Sequence, residues 1–318
     1  MVDSAGYPIE RQFEALLFHF HWIVPYLGPQ PGAGGIAMWQ SLLGAEGSPI
    51  EYSWKWNTPG GEPEVRYCIE AINEFTGTSL DPLNQLANRE LLYRLEAVVP
   101  SLDLTWVNHF IATLYDHDNS NMLAVDDVEP ASSRLKLYFQ TQRTSFSSVR
   151  EIMTLGGLIP VPEASLSNLR DLIISAVGLP DDFPDDAELP CPDYNPAAKD
   201  NFIDIPILLQ GSLYYFDLAP GATIPDIKYY ASARRYARSD LSWARGVASW
   251  MKSRGRGAYC DRYLGLLESF AQHRSLDEGT GIQAYLSCLF RKDGELDITS
   301  YLSPEAFHPS RQRSSGVS

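Results

Sequence analysis

Alternating and helical segments follow one another in a fixed order along this chain, and that order constrains the fold more than any single motif. The first alternating pair starts at Ile50–Trp56, with Glu51, Ser53 and Lys55 on one face and Tyr52, Trp54 and Trp56 on the other. Its partner, 65–72, puts Arg66, Cys68 and Glu70 on one face, and the intervening NTPGGEP is turn chemistry, so the pair reads as a β-hairpin. A helical stretch at 10–24, closed by Pro25, precedes it, and helical stretches at 82–98 (N-capped by Asp81) and 104–115 follow. The order then recurs. Hairpins are expected at about 122–141, 203–231 and 281–303, the last turning at Lys292-Asp293-Gly294. Between them lie helix pairs at 145–155 and 165–177, with Gly156 and Gly178 just past their ends, and at 239–254 and 258–273. A Pro/Asp-rich loop covers 180–200. An αββα unit used four times predicts a single α/β domain over 1–307, an antiparallel sheet with helices outside, and a frayed polar tail at 308–318.

Composition narrows the partners. Forty acidic against 25 basic side chains give a formal charge of −15, a surface that repels phosphate backbones and anionic membranes. Nucleic acid and membrane are therefore not expected partners, and any anionic ligand needs a sheltered basic site. With 44% hydrophobic and 20% charged residues the chain can build a sizeable core. The most apolar run, 15–27, is broken by His19, His21 and Pro25, so no membrane span is expected. The first residues lack a basic segment followed by an apolar one, so no signal peptide is expected. Cys68, Cys191, Cys260 and Cys288 lie far apart, which argues against zinc and fits reduced thiols in the cytoplasm.

The strand faces carry the chemistry. Opposite the apolar face lie Glu51 and Ser53, then Arg66, Arg134-x-Lys136-x-Tyr138, Lys228-x-Tyr230 and Gln283-x-Tyr285. If the sheet closes, these residues line a lumen; if it stays open, they form a solvated face. Cations with Gln283 at one end of such a lumen would bind a diphosphate without metal. Tyrosine faces beside them would stabilise a carbocation and exclude water. Glu51 could orient an aromatic N–H or O–H and take its proton. Together these parts describe alkylation of an aromatic ring by an allylic diphosphate.

The segments SPIEYSWKW (48–56), VRY (65–67), SRLKLYFQT (133–141), SSVREIMTLGG (147–157), IPDIKYY (224–230) and GIQAYLSCLF (281–290) resemble the dimethylallyltryptophan synthase family, over nearly the whole chain and in the family's order. These are fungal aromatic (indole) prenyltransferases with an ABBA-type α/β barrel. The resemblance implies metal-independent transfer of a dimethylallyl group from dimethylallyl diphosphate to tryptophan or a tryptophan-derived acceptor in alkaloid biosynthesis, with no cofactor. It implies Glu51 on the indole nitrogen, with Arg66, Arg134, Lys136, Lys228 and Gln283 on the diphosphate. Tyr138, Tyr230 and Tyr285 would form the carbocation shield. The partners are small molecules, and assembly as a homodimer is left open.

Family members have five hairpins where this chain shows four. Arg66 to Arg134 is short, so the second hairpin, with its own Lys-x-Tyr pair, is expected to be missing at a join near 119–122, and the chain to start inside the family's early helices. The cause is natural shortening or a misjoined gene. An eight-stranded barrel would be narrower, and a non-catalytic or weakly active member that binds aromatic or isoprenoid ligands is the alternative function. A magnesium-dependent terpenoid enzyme would rest on Asp181-Asp182-Phe183-Pro184-Asp185, but Pro180 and Pro184 put that DDxxD in a loop, not on a helix face. DHDNSN at 116–121 lacks the glycine and closing glutamate of a calcium loop. Trp54 and Trp56 are expected in the core under the helices.

Overall fold

The computed structural model describes residues 8–18, 20, 50–56, 64–69, 123–125, 135–141, 143–191, 211–219, 222, 224–305 and 308–311. In chain order the elements are helix α1 (Ile9–Phe18), strands β1 (Ile50–Trp56), β2 (Glu64–Ile69), β3 (Leu123–Val125) and β4 (Leu135–Thr141), and helices α2 (Phe146–Met153) and α3 (Glu163–Val177). Strands β5 (Ser212–Leu218) and β6 (Asp226–Ser232) follow. Next come the one-turn helix α4 (Ala233–Tyr236), helices α5 (Asp240–Ser253) and α6 (Cys260–Phe270), and strands β7 (Gln283–Phe290) and β8 (Leu296–Leu302).

The eight strands form one antiparallel sheet in the order β2-β1-β8-β7-β6-β5-β4-β3. Pairing of β1 with β8 brings the two ends of the described chain together. Among the described residues, β2 and β3 are the outermost strands and no pairing joins them. The observed architecture is thus α/β with one eight-stranded antiparallel sheet, and the closed ring is not contained in the described residues.

Alternation in the strands sorts the sheet into two faces. One is covered by helices and carries Trp54, Trp56, Tyr214, Phe216, Ile227, Tyr229, Leu286, Cys288, Ile298 and Leu302, all buried. Trp54 and Trp56 are 0% and 3% exposed, and both pack on Tyr263 of α6, with ring centroids 5.9 and 4.9 Å away. They lie in the core, as their alternation against Glu51 requires.

Capping sets the helix limits. Ser145 caps α2 by accepting from the Ser148 N–H, and Ser239 and Ser242 form a reciprocal capping box on α5. Gly178 ends α3 in the left-handed conformation (φ 78°), which costs a glycine nothing. Helices α3 and α5 touch backbone to backbone: Ser175 Oγ donates to the Gly246 carbonyl at 2.8 Å, and a Cβ at Gly246 would sit 1.9 Å from the Ser175 carbonyl oxygen.

Some expectations fall elsewhere. The helices at 82–98 and 104–115, the join at 119–122, the DHDNSN segment and residues 201–210 of the third hairpin lie outside the described residues. The tail expected to fray from residue 308 is docked at its start. His308 lies against His273 (ring centroids 4.5 Å), and the Arg311 guanidinium donates to the Phe270 carbonyl at the end of α6. Those two contacts escape a reading of local polarity because both partners come from α6 and the segment just after it.

Candidate active site

The face away from the helices is built from the other parity of the same strands. On β6 it carries Lys228 and Tyr230, because Ile227 and Tyr229 point into the core. Cross-strand register then brings Tyr215 opposite Lys228 and Leu213 opposite Tyr230 from β5, and Leu289 and Ser287 from β7. Strand β8 adds Thr299 opposite Ser287 and Tyr301 opposite Tyr285.

The result is a cluster of tyrosines around one ammonium. Tyr230 lies 6.2 Å from Tyr215, 6.2 Å from Tyr285 with the rings at 86°, and 5.5 Å from Tyr301, centroid to centroid. The Tyr230 and Tyr301 hydroxyls are 3.5 Å apart. Lys228 Nζ stands 5.7 Å from the centroids of both Tyr215 and Tyr230. A cation is thus already held by aromatic faces here, through the ring quadrupole that would hold a carbocation. Asp217, buried at 5% exposure, accepts from the Tyr215 hydroxyl at 3.2 Å and stands opposite Lys136 in the register.

Of the expected site residues, Lys228, Tyr230 and Tyr285 are brought together on this face. Lys136 and Tyr138 lie on β4 opposite Asp217 and Tyr215, at register positions on the same face. Arg66 on β2 is opposite Ser53, which is opposite Tyr301; Glu51, opposite Cys68, shares the parity of Ser53. The side chains of Glu51, Arg66, Lys136 and Tyr138, and Arg134 altogether, lie outside the described set.

Gln283 is a correction. Reading back by two from Tyr285 puts it on the tyrosine face, but the register shifts between Gln283 and Tyr285, so Gln283 pairs with the core residue Leu302. Such a bulge reverses which way the preceding side chain points. Gln283 is 1% exposed; its amide donates to the Asp240 carbonyl at 2.7 Å and accepts from the Tyr263 hydroxyl at 2.6 Å. It ties β7 to the start of α5 and the middle of α6. The Asp240 carboxylate it flanks accepts from the backbone of Ile282 and Gln283 and from Arg274, and burial still pushes its pKa up.

Tyr215, Asp217 and Tyr301 join the site without having been anticipated. The signal was present in Leu213-x-Tyr215-x-Asp217 and Asp297-x-Thr299-x-Tyr301, whose parity is opposite that of the core residues Phe216 and Ile298. The DDxxD segment is a loop. Asp185 is ion-paired with Arg170 at 2.7 Å, whose guanidinium also donates to the carbonyls of Asp181 and Phe183. Among the described residues no group of three or more His, Cys, Asp or Glu is gathered as metal ligands, and no helix is long and apolar enough to cross a membrane.

The family profile described as tryptophan dimethylallyltransferase matches residues 1–122 and 116–265. The chain belongs to this family. Its activity class is accordingly prenyl transfer. Among its relatives, prenyltransferase anuH of Penicillium roqueforti is 49% identical, over 98% of this chain and 87% of the relative. Xanthone prenyltransferase B of Emericella nidulans is 37% identical over 98% and 86%. The fold is that of AnaPT from Neosartorya fischeri (TM-score 0.69, 20% identity, covering 95% and 90% of the two chains). It is equally that of NotF crystallised with brevianamide F and DMSPP (TM-score 0.70, 18% identity, 95% and 90%).

The family match comes in two pieces. They meet at 116–122, across the expected join at 119–122. The comparison with anuH runs over 394 positions while this chain has 318 residues, so at least 76 of those positions have no counterpart here.

Proposed function

We propose that this chain transfers the dimethylallyl group of dimethylallyl diphosphate to an indole-type aromatic acceptor, without metal. The observation that carries the reading is Lys228 lodged between the rings of Tyr215 and Tyr230, with Tyr285 and Tyr301 beside them. In this reading the sheet closes into a barrel, as one domain over 1–307, and the tyrosine face becomes its lumen. Arg66, Arg134, Lys136 and Lys228 hold the diphosphate, supplying the positive charge that a metal would otherwise bring. The allylic C–O bond breaks, its electron pair leaving on the diphosphate, and the cation rests against Tyr138, Tyr230 and Tyr285. The aromatic carbon attacks, forming the C–C bond, while Glu51 holds the ring N–H and takes up the proton released on rearomatisation. Burial of the site keeps water from the cation.

The acceptor reading is supported by the family's description and by NotF, whose complex holds brevianamide F with DMSPP. A second reading has its own support. The relatives at 37% identity include two named xanthone prenyltransferases, whereas NotF is 18% identical, which favours an oxygenated polycyclic phenol. The wide sequence spacing of Cys68, Cys191, Cys260 and Cys288 fits a reducing, cytoplasmic setting.

The test is incubation with dimethylallyl diphosphate and, in parallel, tryptophan, a tryptophan-containing cyclic dipeptide and a hydroxyxanthone, with and without EDTA. EDTA-resistant prenylated indole is expected. Prenylation of the xanthone alone would transfer the assignment to the phenolic reading. Donor binding without product would leave the ligand-binding alternative, and neither binding nor product would refute prenyl transfer.

A further inference from the structure

We infer that Ser287 is a positioning residue for the tyrosine face: its small size lets the rings of Tyr230 and Tyr301 meet across strand β7. The inference rests on the prenyl-transfer reading above. Tyr230 is on β6 and Tyr301 on β8, and β7 lies between them. Neighbouring strands are about 4.8 Å apart, so these two backbones stand nearly ~10 Å from each other. Yet the ring centroids are 5.5 Å apart and the hydroxyls 3.5 Å. The rings must therefore lean towards one another over β7.

On this face β7 puts Ser287 opposite Tyr230 and Tyr285 opposite Tyr301, and the small one of the two is Ser287. It is the register partner of Tyr230 on one side and of Thr299 on the other, and its parity is opposite that of the core residues Leu286 and Cys288. Its side chain thus points to the tyrosine face, and it is nevertheless 0% exposed. The next residue on that face, Tyr285, presents its ring to Tyr230 at 6.2 Å, close to perpendicular. The serine hydroxyl itself does not hold the arrangement, because Ser287 Oγ has no hydrogen-bond partner among the described residues. What the position supplies is room.

A longer side chain at 287 would wedge Tyr230 from Tyr301 and open the aromatic surface. Water would then compete for the allylic cation. Its oxygen forms the new C–O bond and loses a proton, giving dimethylallyl alcohol in place of the prenylated acceptor.

The experiment uses the full chain and the variants Ser287→Ala, Ser287→Val and Ser287→Leu, with two readouts. One is the ratio of free alcohol to prenylated acceptor. The other, independent of turnover, is calorimetric affinity for dimethylallylammonium in the presence of inorganic diphosphate, against diphosphate alone. The expected result is a graded effect: Ser287→Ala keeps the wild-type ratio, Ser287→Val raises the alcohol share several-fold, and Ser287→Leu weakens ammonium binding by at least 10-fold with diphosphate binding unchanged. If Ser287→Leu does not fold, Ser287→Val carries the comparison. Equal ammonium affinity and equal partition in a folded Ser287→Val would overturn the inference, and so would a loss in Ser287→Ala as large as in Ser287→Val. A wild-type chain that binds neither ammonium nor diphosphate would instead refute the prenyl-transfer reading itself.

Discussion

Replacing Lys228 with methionine tests the site most directly, because it removes one charge and keeps most of the side chain's length. Lys228 is half-buried, with Nζ 5.7 Å from the centroids of both Tyr215 and Tyr230. Two losses follow. In the proposed site its ammonium would contribute one charge-assisted hydrogen bond to a bound diphosphate, worth about 1.5–3 kcal/mol. Since each 1.4 kcal/mol is tenfold, donor affinity should fall about 10- to 150-fold. The cation–π contacts are worth roughly 0.5–1 kcal/mol each at partly exposed sites, and a methionine thioether recovers part of that against the same rings. Stability should therefore move by less than about 1 kcal/mol, well below the effect on the donor. Calorimetric titration with DMSPP, alongside a urea unfolding curve, separates the two quantities. If donor affinity is unchanged in a folded Lys228→Met, the cations of this face do not hold diphosphate and the site assignment is wrong.

Four further outcomes are expected. Glu51→Gln should lower kcat by roughly 10²–10⁴ with an unchanged unfolding midpoint, and wild-type turnover would remove Glu51 from the proton path. Gly246→Ala should destabilise by about 1–3 kcal/mol despite the roughly 1 kcal/mol better helix propensity of alanine, because the new Cβ would lie 1.9 Å from the Ser175 carbonyl oxygen; a urea midpoint at or above wild type would show that the helices can separate cheaply. Burial pushes the Cys288 thiol up to about 12, leaving it protonated at pH 8, so peptide mapping after a thiol reagent should find Cys191 labelled in the folded protein and Cys288 labelled only after unfolding. Finally, the chain should turn over more slowly than relatives carrying the absent positions and release dimethylallyl alcohol from the donor; efficient prenylation with no alcohol would show that the present strands already exclude water.

How far the sequence could be read depended on how local the cause was. Alternation placed Trp54 and Trp56 under the helices and Lys228 with Tyr230 on the other face, because parity within a strand is set by the pleat alone. Lys292-Asp293-Gly294 marked the last turn, where the Gly294 N–H donates to the Arg291 carbonyl. Parity failed where the backbone changed step: the bulge before Tyr285 turned Gln283 to the helices, and nothing in QAYLSCLF signals it. Tyr215 and Tyr301 were missed for a different reason. Each sits next to other aromatic or apolar residues, so its face is read only once the strand's parity is fixed against the core residues Phe216 and Ile298. The contact at Gly246 and the docking of residues 308–311 depend on partners distant in sequence and have no local mark.

In the proposed site, the sheet order makes a segment absent between β2 and β3 bear more on the diphosphate than on Tyr230, Tyr285 and Tyr301. Taken from β3, the strands follow chain order through β8 and continue into β1 and β2, so among the described residues the sheet is one circuit cut between β2 and β3. Those strands are consecutive in the chain, and the family match divides between them. The residues bordering the cut are Arg66 on β2 and Lys136 on β4, next to β3. Tyr230, Tyr285 and Tyr301 stand on β6, β7 and β8, in the middle of the sheet, with paired neighbours on both sides. Tyr215, Tyr230, Tyr285 and Tyr301 stand together without the missing positions because β5 to β8 are present; the tyrosine expected on the missing hairpin would add to them. Of the cations in the proposed site, Lys228 stands on β6 in the middle of the sheet, whereas Arg66 and Lys136 belong to strands at or next to its two edges, and their convergence with Lys228 on one diphosphate depends on how those edges are held. If these residues act as proposed, a member shortened at this point keeps Tyr230, Tyr285 and Tyr301 together but loosens both the clamp on the diphosphate and the cover that keeps water from the cation.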